Sequence, residues 1–405
     1  MTMVKFYGES EFWSIPSKTP PVPPNAQLIY TTAPPSPPPP PPSCFPSVRL
    51  ALGKLLLIVG LIAFTFITMV GGNPQHDAYG FRYWRDPGPF AEYYKAGSLG
   101  RFMGFLACLI QASFTIAGPD YVAISAGEAE NARVTMPRAF KAVFYRLTAF
   151  FVLGSLAAGI VVPYNDPTLK DAFSSGAPGA AASPYVVAMV RLRIPVLPHI
   201  VNALILSSAF SAGNSYVFCA SRCLYGLALA GQAPRLFTRC TRNGVPVFSV
   251  LLVLAIALLA FLQLSNSAAV VLSWFVSLVT ASQLINFSVM SLTYLFFRRA
   301  LAAQGISRAS LPHRSWGQPY ATYFALVCTT VMCVVGGYEV FLPGKWSVPT
   351  FLFGYTMVAV FPCIFLGWKL VHHTSAPDPA EVNLFRDERE QIDEYSASFV
   401  PTPPA

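Results

Sequence analysis

Residues 111–138 read QASFTIAGPDYVAISAGEAENARVTMPR. The first half is apolar enough for a bilayer, yet it contains Ala117-Gly118-Pro119-Asp120. Gly118 tolerates backbone angles that other residues avoid, and Pro119 has no amide proton to donate. Together they predict a helix interrupted near the middle of a membrane span. Pro119 then opens a second half-helix, where its missing donor costs nothing. The amides freed there face the break, with the positive end of the helix dipole behind them. Transporters place anionic solutes at such ends of discontinuous helices. A proline kink held by neighbouring helices is the plain alternative, since Pro and Gly are common in membrane helices.

Outward from this stretch the chain runs in long apolar segments, roughly 50–71, 102–126, 140–162, 196–221, 245–264, 269–297, 321–342 and 349–370. A span takes about 20 apolar residues, and hydrocarbon obliges each backbone group to find a partner inside its own segment. The eight segments therefore read as transmembrane helices. Barrel strands alternate in hydropathy over about ten residues, and these segments do not. Of the 405 residues, 54% are hydrophobic and 11% charged, with mean hydropathy +0.50. A soluble domain carries roughly 25% charged residues, so a dissolved globular protein is excluded.

The net charge of +9 sits in connecting segments. That pattern suits anionic lipid headgroups and argues against nucleic acid as a partner. Arg133, Arg138, Lys141 and Arg146 follow the second span; Arg222, Arg235, Arg239 and Arg242 the fourth; Arg298, Arg299, Arg308 and Arg314 the sixth. Segment 264–268 has no base and 343–348 only Lys345. This alternation places both termini in the cytoplasm. Segments 72–101 (Arg82, Arg85, Lys95, Arg101) and 163–195 (Lys170, Arg191, Arg193) fit less cleanly. Strict alternation along eight spans still puts them outside.

Eight cysteines fall mostly inside apolar runs and predict no disulfide framework. The five histidines are scattered apart from His372-His373, and no Cys/His set has metal-ligand spacing. With no clustered polar machinery at one membrane face, no enzymatic reaction is implied. Residues 14–49, with the run Pro34 to Pro46, cannot form a packed core or a span. They read as a ligand for a proline-binding module or as a disordered linker, with the linker preferred. Residues 1–49 together are an N-terminal segment, 50–370 the transmembrane domain, and 371–405 an acidic, disordered cytoplasmic tail.

The segment AGPDYVAISAGEAENARVTMPRAF (117–140) resembles the sixth-helix signature of fungal amino-acid permeases of the amino acid–polyamine–organocation superfamily. GNPQHDAYGFRYWRDPGPF (72–90) is similar to the preceding loop, especially in the dicarboxylic subgroup. LPHIVNALILSSAFSAGNSYVFCASRCLYGLA (197–228) resembles the eighth helix, and WFVSLVTASQLINFSVMSLTYLFFRRAL (274–301) the tenth. YGESEFW (7–13) resembles the lead into the fifth helix, which in the family runs almost directly into a segment like KLLLIVGLIAF (54–64). That continuity suggests that 14–49 is a translated intron or gene-model artefact. Ala132 stands where the family has Pro.

The resemblance implies an all-α membrane protein, a truncated five-plus-five inverted-repeat (LeuT-like) fold holding helices five to twelve. The implied activity is amino-acid uptake driven by protons at the plasma membrane, with no cofactor. Helices one to four are expected to be absent, and with them the first-helix half of the substrate cradle, so an inactive or regulatory fragment is the alternative. Phe114, Ala117, Gly118, Pro119, Asp120, Asn214 and Trp274 are the substrate-site candidates; Lys54 and Asp120 are the coupling candidates. Each has a plainer reading. Asp120 complements the helix dipole as a first-turn acid, and Lys54 snorkels. Asn214 belongs to a small-residue packing face with Ser207, Ser208, Ser211, Gly213 and Ser215. Phe114 and Trp274 are core, lipid-facing or interfacial aromatics. Glu128 and Glu130 with Arg133 and Arg138 form either a gating network or a solvated helix end.

Overall fold

The computed structural model describes residues 45–116, 118–128, 131–174, 183–241, 244–264, 268–311, 313–375 and 377–384. The regular elements among them are helices, joined by one isolated β-bridge, Cys240 to Pro246. The proline run up to residue 44 and the acidic residues 385–405 lie outside the described residues.

The principal helices are α1 (Phe45–Met69), α2 (Ser98–Thr115), α3 (Ala132–Val161), α4 (Pro184–Arg191), α5 (Leu197–Leu229), α6 (Val247–Ala257), α7 (Ala268–Ala303), α8 (Tyr320–Val335) and α9 (Val348–His372). All but α4 coincide with the eight apolar segments. Helix α1 starts five residues earlier than the sequence boundary at 50, with Pro46 in the first turn where a missing amide is harmless. Among the described residues six helices are long and apolar enough to cross a membrane, one of them running from Ser98 to Ile124 across the break. Val247–Phe261 and Tyr320–Val335 are shorter. Both shortfalls have local causes. Past Ala257 the backbone tightens into a 3₁₀ turn, Leu258–Leu264. Past Val335 come Gly336 and Gly337, and the Tyr355 ring occupies the space a Cβ on Gly337 would need, 2.3 Å away.

Two compact units divide the chain. The first comprises residues up to Pro89 with Pro119–Phe261; the second comprises Phe90–Gly118 with the chain from Leu262 onward. In the first unit, α1 packs on α3 and α5, and α5 also carries α6 and the 3₁₀ segment after the break. Leu57, Leu61 and Phe64 of α1 close over Val186, Met189 and Val201. In the second unit, α7 is central, with α2, α8 and α9 against it.

The loop 72–86 of the first unit is tied down at every level. Asn73 Nδ2 donates to Thr68 O (3.0 Å) and Asp77 O (2.7 Å), while its Oδ1 accepts from the amides of Gln75 and Asp77. Tyr79 buries its ring beside Ile160 and Leu192. Arg82 forks onto both carboxylate oxygens of Asp77, at 2.7 and 3.0 Å, and the guanidinium holds that carboxyl below its ordinary range. Arg191 donates to Val161 O, lies 3.5 Å from Asp166 and sits 5.0 Å over the Tyr83 ring. In the second unit, Arg101 pairs with Glu92 at 3.5 Å. Three bases of the two segments that fit the charge alternation less cleanly are thus paired with acids of the same segments.

Candidate functional site

Helix α2 keeps its hydrogen bonding to Thr115, and its exposed cap Ile116 is still near helical angles (φ −85°, ψ 0°). Ala117 lies outside the described residues. Gly118 then adopts φ +111°, beyond the small left-handed region open to other residues. Pro119 opens the next element, with Asp120 in its first turn. The interruption is therefore present where Gly118 and Pro119 predict it. The second half differs from expectation: Pro119–Glu128 is a ten-residue 3₁₀ helix, not an α-helical half. Val122, Ile124 and Gly127 within it are poor α-formers, and a long 3₁₀ run marks strain or a hinge.

In the second unit, Phe114 is half-buried on the last turn of α2. One turn earlier, a cavity of about 50 Å³ opens among α2, α7, α8 and α9, large enough for a water or two. Gln111 and Ser113 line it from α2, Ser277 and Thr280 from α7, Cys333 and Gly336 from the end of α8. Its three hydroxyls donate to their own helices: Ser113 to Leu109 O (3.0 Å), Ser277 to Ser273 O (2.9 Å) and Thr280 to Val276 O (2.7 Å). With those protons committed, the three hydroxyl oxygens offer only lone pairs. Trp274 stacks on Phe353 of α9, centroids 5.4 Å apart and rings 4° from parallel, and Phe275 meets Phe353 edge-on. One face of Trp274 is thus consumed by helix packing.

In the first unit, the 3₁₀ segment lies on α5. Val122 is buried, and Tyr121 meets Tyr216 edge-to-face at 6.0 Å and 89°. Asp120 is half-buried. Asn214 sits on α5 one turn after the buried Ser211, whose carbonyl is taken by the Ser215 hydroxyl. The Asn214 Nδ2 is buried and has no hydrogen-bond partner among the described residues. Lys54 is half-buried in α1, one turn before Leu57. The sequence candidates are thus apportioned: Lys54, Pro119, Asp120 and Asn214 to the first unit, Phe114, Gly118 and Trp274 to the second. Sequence reasoning missed Gln111, Ser113, Ser277 and Thr280; the spacing of Ser277 and Thr280, one helical turn apart, was the available signal. No group of three His, Cys, Asp or Glu side chains suited to a metal occurs among the described residues.

Span-length apolar helices, one of them broken at a Gly-Pro pair, define a multi-pass membrane protein. Comparison with known proteins makes this specific: the amino acid permease family model matches residues 43–379, and the chain belongs to that family. It is 47% identical over 373 residues to the general amino acid permease AGP2 of Saccharomyces cerevisiae, covering 91% of this chain and 56% of that protein. It is 42% identical to a proline-specific permease of Emericella nidulans (84% of this chain, 62% of the relative). It is 35% identical to the dicarboxylic amino acid permease of Saccharomyces cerevisiae (94% and 57%). Similarity thus extends to the subgroup suggested by loop 72–90 but is greater to the other two. The chain spans a little over half the length of the curated relatives it matches. The family is one of transporters, not enzymes.

Proposed function

We propose that this chain serves amino-acid uptake across the plasma membrane, coupled to protons, and that it supplies the sixth-helix side of the substrate site. The observation that carries the reading is the interruption between Thr115 and Pro119, with Gly118 at φ +111°. A helix start inside a membrane presents unpaired amides and a partial positive charge, which suit a carboxylate. The similar permeases are named for general, proline and dicarboxylic amino-acid substrates. Those substrates differ in side chain and share the α-carboxylate, so a backbone site at the break fits all of them. Asn214, whose buried Nδ2 has no partner among the described residues, is the side chain most suited to join that site. Asp120 is the candidate proton acceptor on the same element.

One experiment tests the reading. Uptake of labelled amino acids is measured in uptake-deficient yeast expressing this chain alone, or this chain fused to the part of AGP2 that it does not match. Little uptake is expected from the chain alone, and pH-dependent uptake from the fusion. A fusion that reaches the plasma membrane and still transports no amino acid would overturn the proposal.

A further inference from the structure

The exposed face of α8 changes character along its length. Tyr320, Phe324, Val327, Val331 and Val334 are exposed, and their spacing puts them on one face of the helix. The opposite face is taken by α7: Thr329 Oγ1 lies 2.8 Å from Ser288 Oγ, and Cys333 Sγ donates to Ala281 O at 3.9 Å. The exposed face is thus aliphatic towards Val334 and aromatic towards the helix start, ending on Tyr320, which is 81% exposed. That is the order in which a helix leaves hydrocarbon for the headgroup layer, where Tyr and Trp concentrate.

One turn before Tyr320 stands Trp316, 97% exposed. Its place is fixed from the helix side. Gly317 takes φ +76°, its carbonyl accepts from the Ala321 amide at 3.0 Å, and Gln318 Oε1 accepts from the Thr322 hydroxyl. A ring held this open is packed on no described part of the chain. The length of α8 supplies an environment for it. Its 16 residues rise about 24 Å, against about 30 Å of hydrocarbon. A short span draws its flanking residues into the interface, and Trp316 is on such a flank.

Charge completes the surface. Arg314, two residues before Trp316, is exposed and forms no ion pair with an acid among the described residues. Residues 298–338 carry Arg298, Arg299, Arg308 and Arg314 and no acid. Asp378 and Glu381 belong to the segment that Gln304 holds through Pro379 O and Val382 O at the end of α7, and they pair with none of these arginines. We propose that His313–Tyr320 is a docking surface for an anionic phospholipid. Arg314 takes the headgroup phosphate, whose oxygens its planar fork matches, and Trp316 and Tyr320 sit at the level of the headgroup. The cation of a neutral headgroup would be repelled by the same arginines, so the surface selects net negative charge. Arginine-rich connections face the leaflet that carries anionic lipid. The proposal rests on α8 spanning the membrane and not on transport.

The test uses the full chain in phosphatidylcholine nanodiscs that hold a fraction of brominated phosphatidylserine or of brominated phosphatidylcholine. The fluorescence lost in Trp316→Phe isolates the Trp316 signal from the other tryptophans. Brominated phosphatidylserine is expected to quench that signal more than the same fraction of brominated phosphatidylcholine, and acrylamide in the water to quench it weakly. Arg314→Gln is expected to reduce the preference for phosphatidylserine about fivefold, the factor equivalent to about 1 kcal/mol per arginine at a membrane surface. High salt is expected to reduce it as well, and Arg314→Lys, which keeps the charge, to retain most of it. A Trp316 signal quenched by acrylamide and by neither lipid overturns the proposal and leaves the face to a protein partner. Equal quenching by the two lipids, or a preference indifferent to Arg314→Gln, overturns the headgroup site.

Discussion

The Tyr79 hydroxyl lies 2.7 Å from Thr68 Oγ1 in a buried contact that joins loop 72–86 to the end of α1. The direction of this bond follows from the neighbours. Thr68 Oγ1 also lies 2.8 Å from Phe64 O, a carbonyl, so the single threonine proton goes there and Tyr79 is the donor to Thr68. Removing either partner therefore has different effects. Tyr79→Phe removes the donor and leaves an oxygen already engaged as a donor, at a cost of about 1 kcal/mol. Thr68→Val strands a buried phenol and costs about 1–3 kcal/mol. Tyr79→Ala also vacates the space beside Ile160 and Leu192, at about 3–5 kcal/mol. Thermal unfolding of the purified chain in detergent ranks the three; a Tyr79→Phe loss exceeding that of Thr68→Val would refute the assigned direction.

Gly100 in the first turn of α2 faces the Lys95 carbonyl so closely that a Cβ there would sit 1.7 Å from the oxygen. The loop 91–97 wraps this helix start, with the Tyr93 amide bonded to Gly100 O. The loop is also fastened by Tyr94, whose hydroxyl donates to Pro343 O at 2.8 Å. Because backbone stands in the way, Gly100→Ala must displace the loop, with an expected loss of about 1–3 kcal/mol, the range for overpacking. Gly53→Ala in α1, where nothing lies within 4 Å, is the control and is expected to be neutral or slightly stabilising. Equal unfolding temperatures for the two variants would contradict the close approach.

The parts legible in the sequence are those set by local chemistry. The eight apolar segments became eight helices because a bilayer leaves the backbone no other partners. The break at Gly118-Pro119 was legible because both residues act on their own backbone. The rest depends on residues far apart in the chain. Arg82 and Arg191 read as anomalies in the charge alternation, and only the folded chain shows that they pair with Asp77 and Asp166. Trp274 read as an interface anchor or a pocket wall, and only Phe353 shows that α9 takes one of its faces. The 3₁₀ form of Pro119–Glu128 was missed because the pattern that announces a helix start does not distinguish i→i+3 from i→i+4 bonding. The cavity hydroxyls were missed because serine and threonine in membrane helices usually satisfy themselves on the preceding turn, as these do.

Gly118→Ala tests the break itself. At φ +111° an L-residue is strained by about 1–3 kcal/mol, so the backbone is expected to relax towards a continuous helix. Unfolding temperature changes little if the relaxed helix packs, whereas the bend that turns the start of the second half towards the break is lost. The expected signature in the fusion with AGP2 helices is at least a tenfold loss of uptake with normal membrane delivery, the tenfold corresponding to about 1.4 kcal/mol of lost binding. Uptake equal to the parent fusion would show that the bend is not used.

Tyr93 makes a prediction in pH. Burial, followed by the negative charge of Glu339, pushes its phenol up to about 12. The group stays neutral in the folded chain after an unfolded tyrosine has begun to ionise near 10. Between those values the unfolded state binds fewer protons, so stability falls as pH rises. The stability resting on neutral Tyr93 is therefore complete below pH ~10 and is lost through about 12. Tyr93→Phe has no proton to lose and is expected to flatten that part of the alkaline unfolding profile, with little change near neutrality. A profile unchanged by the substitution would mean that Tyr93 ionises alike in the folded and unfolded states, with no upward shift on folding.

Asn214 separates a structural from a ligand-binding amide. A buried Nδ2 without a partner among the described residues is a standing cost of about 1–3 kcal/mol. If the amide serves only packing, replacing it by an apolar group of similar size removes that cost and nothing else. Asn214→Leu is accordingly expected to leave the stability of this chain unchanged or to raise it by about 1 kcal/mol. Asn214→Asp keeps the shape but replaces the donor by an acceptor, and burying a carboxylate there lowers stability. In the AGP2 fusion both variants are expected to weaken uptake, Leu by losing the donor and Asp by repelling the substrate carboxylate. A gain in stability with a loss of uptake for Asn214→Leu is a combination that a packing role alone does not produce. Stable Asn214→Leu with undiminished uptake would remove Asn214 from the site and leave the break to act through its backbone.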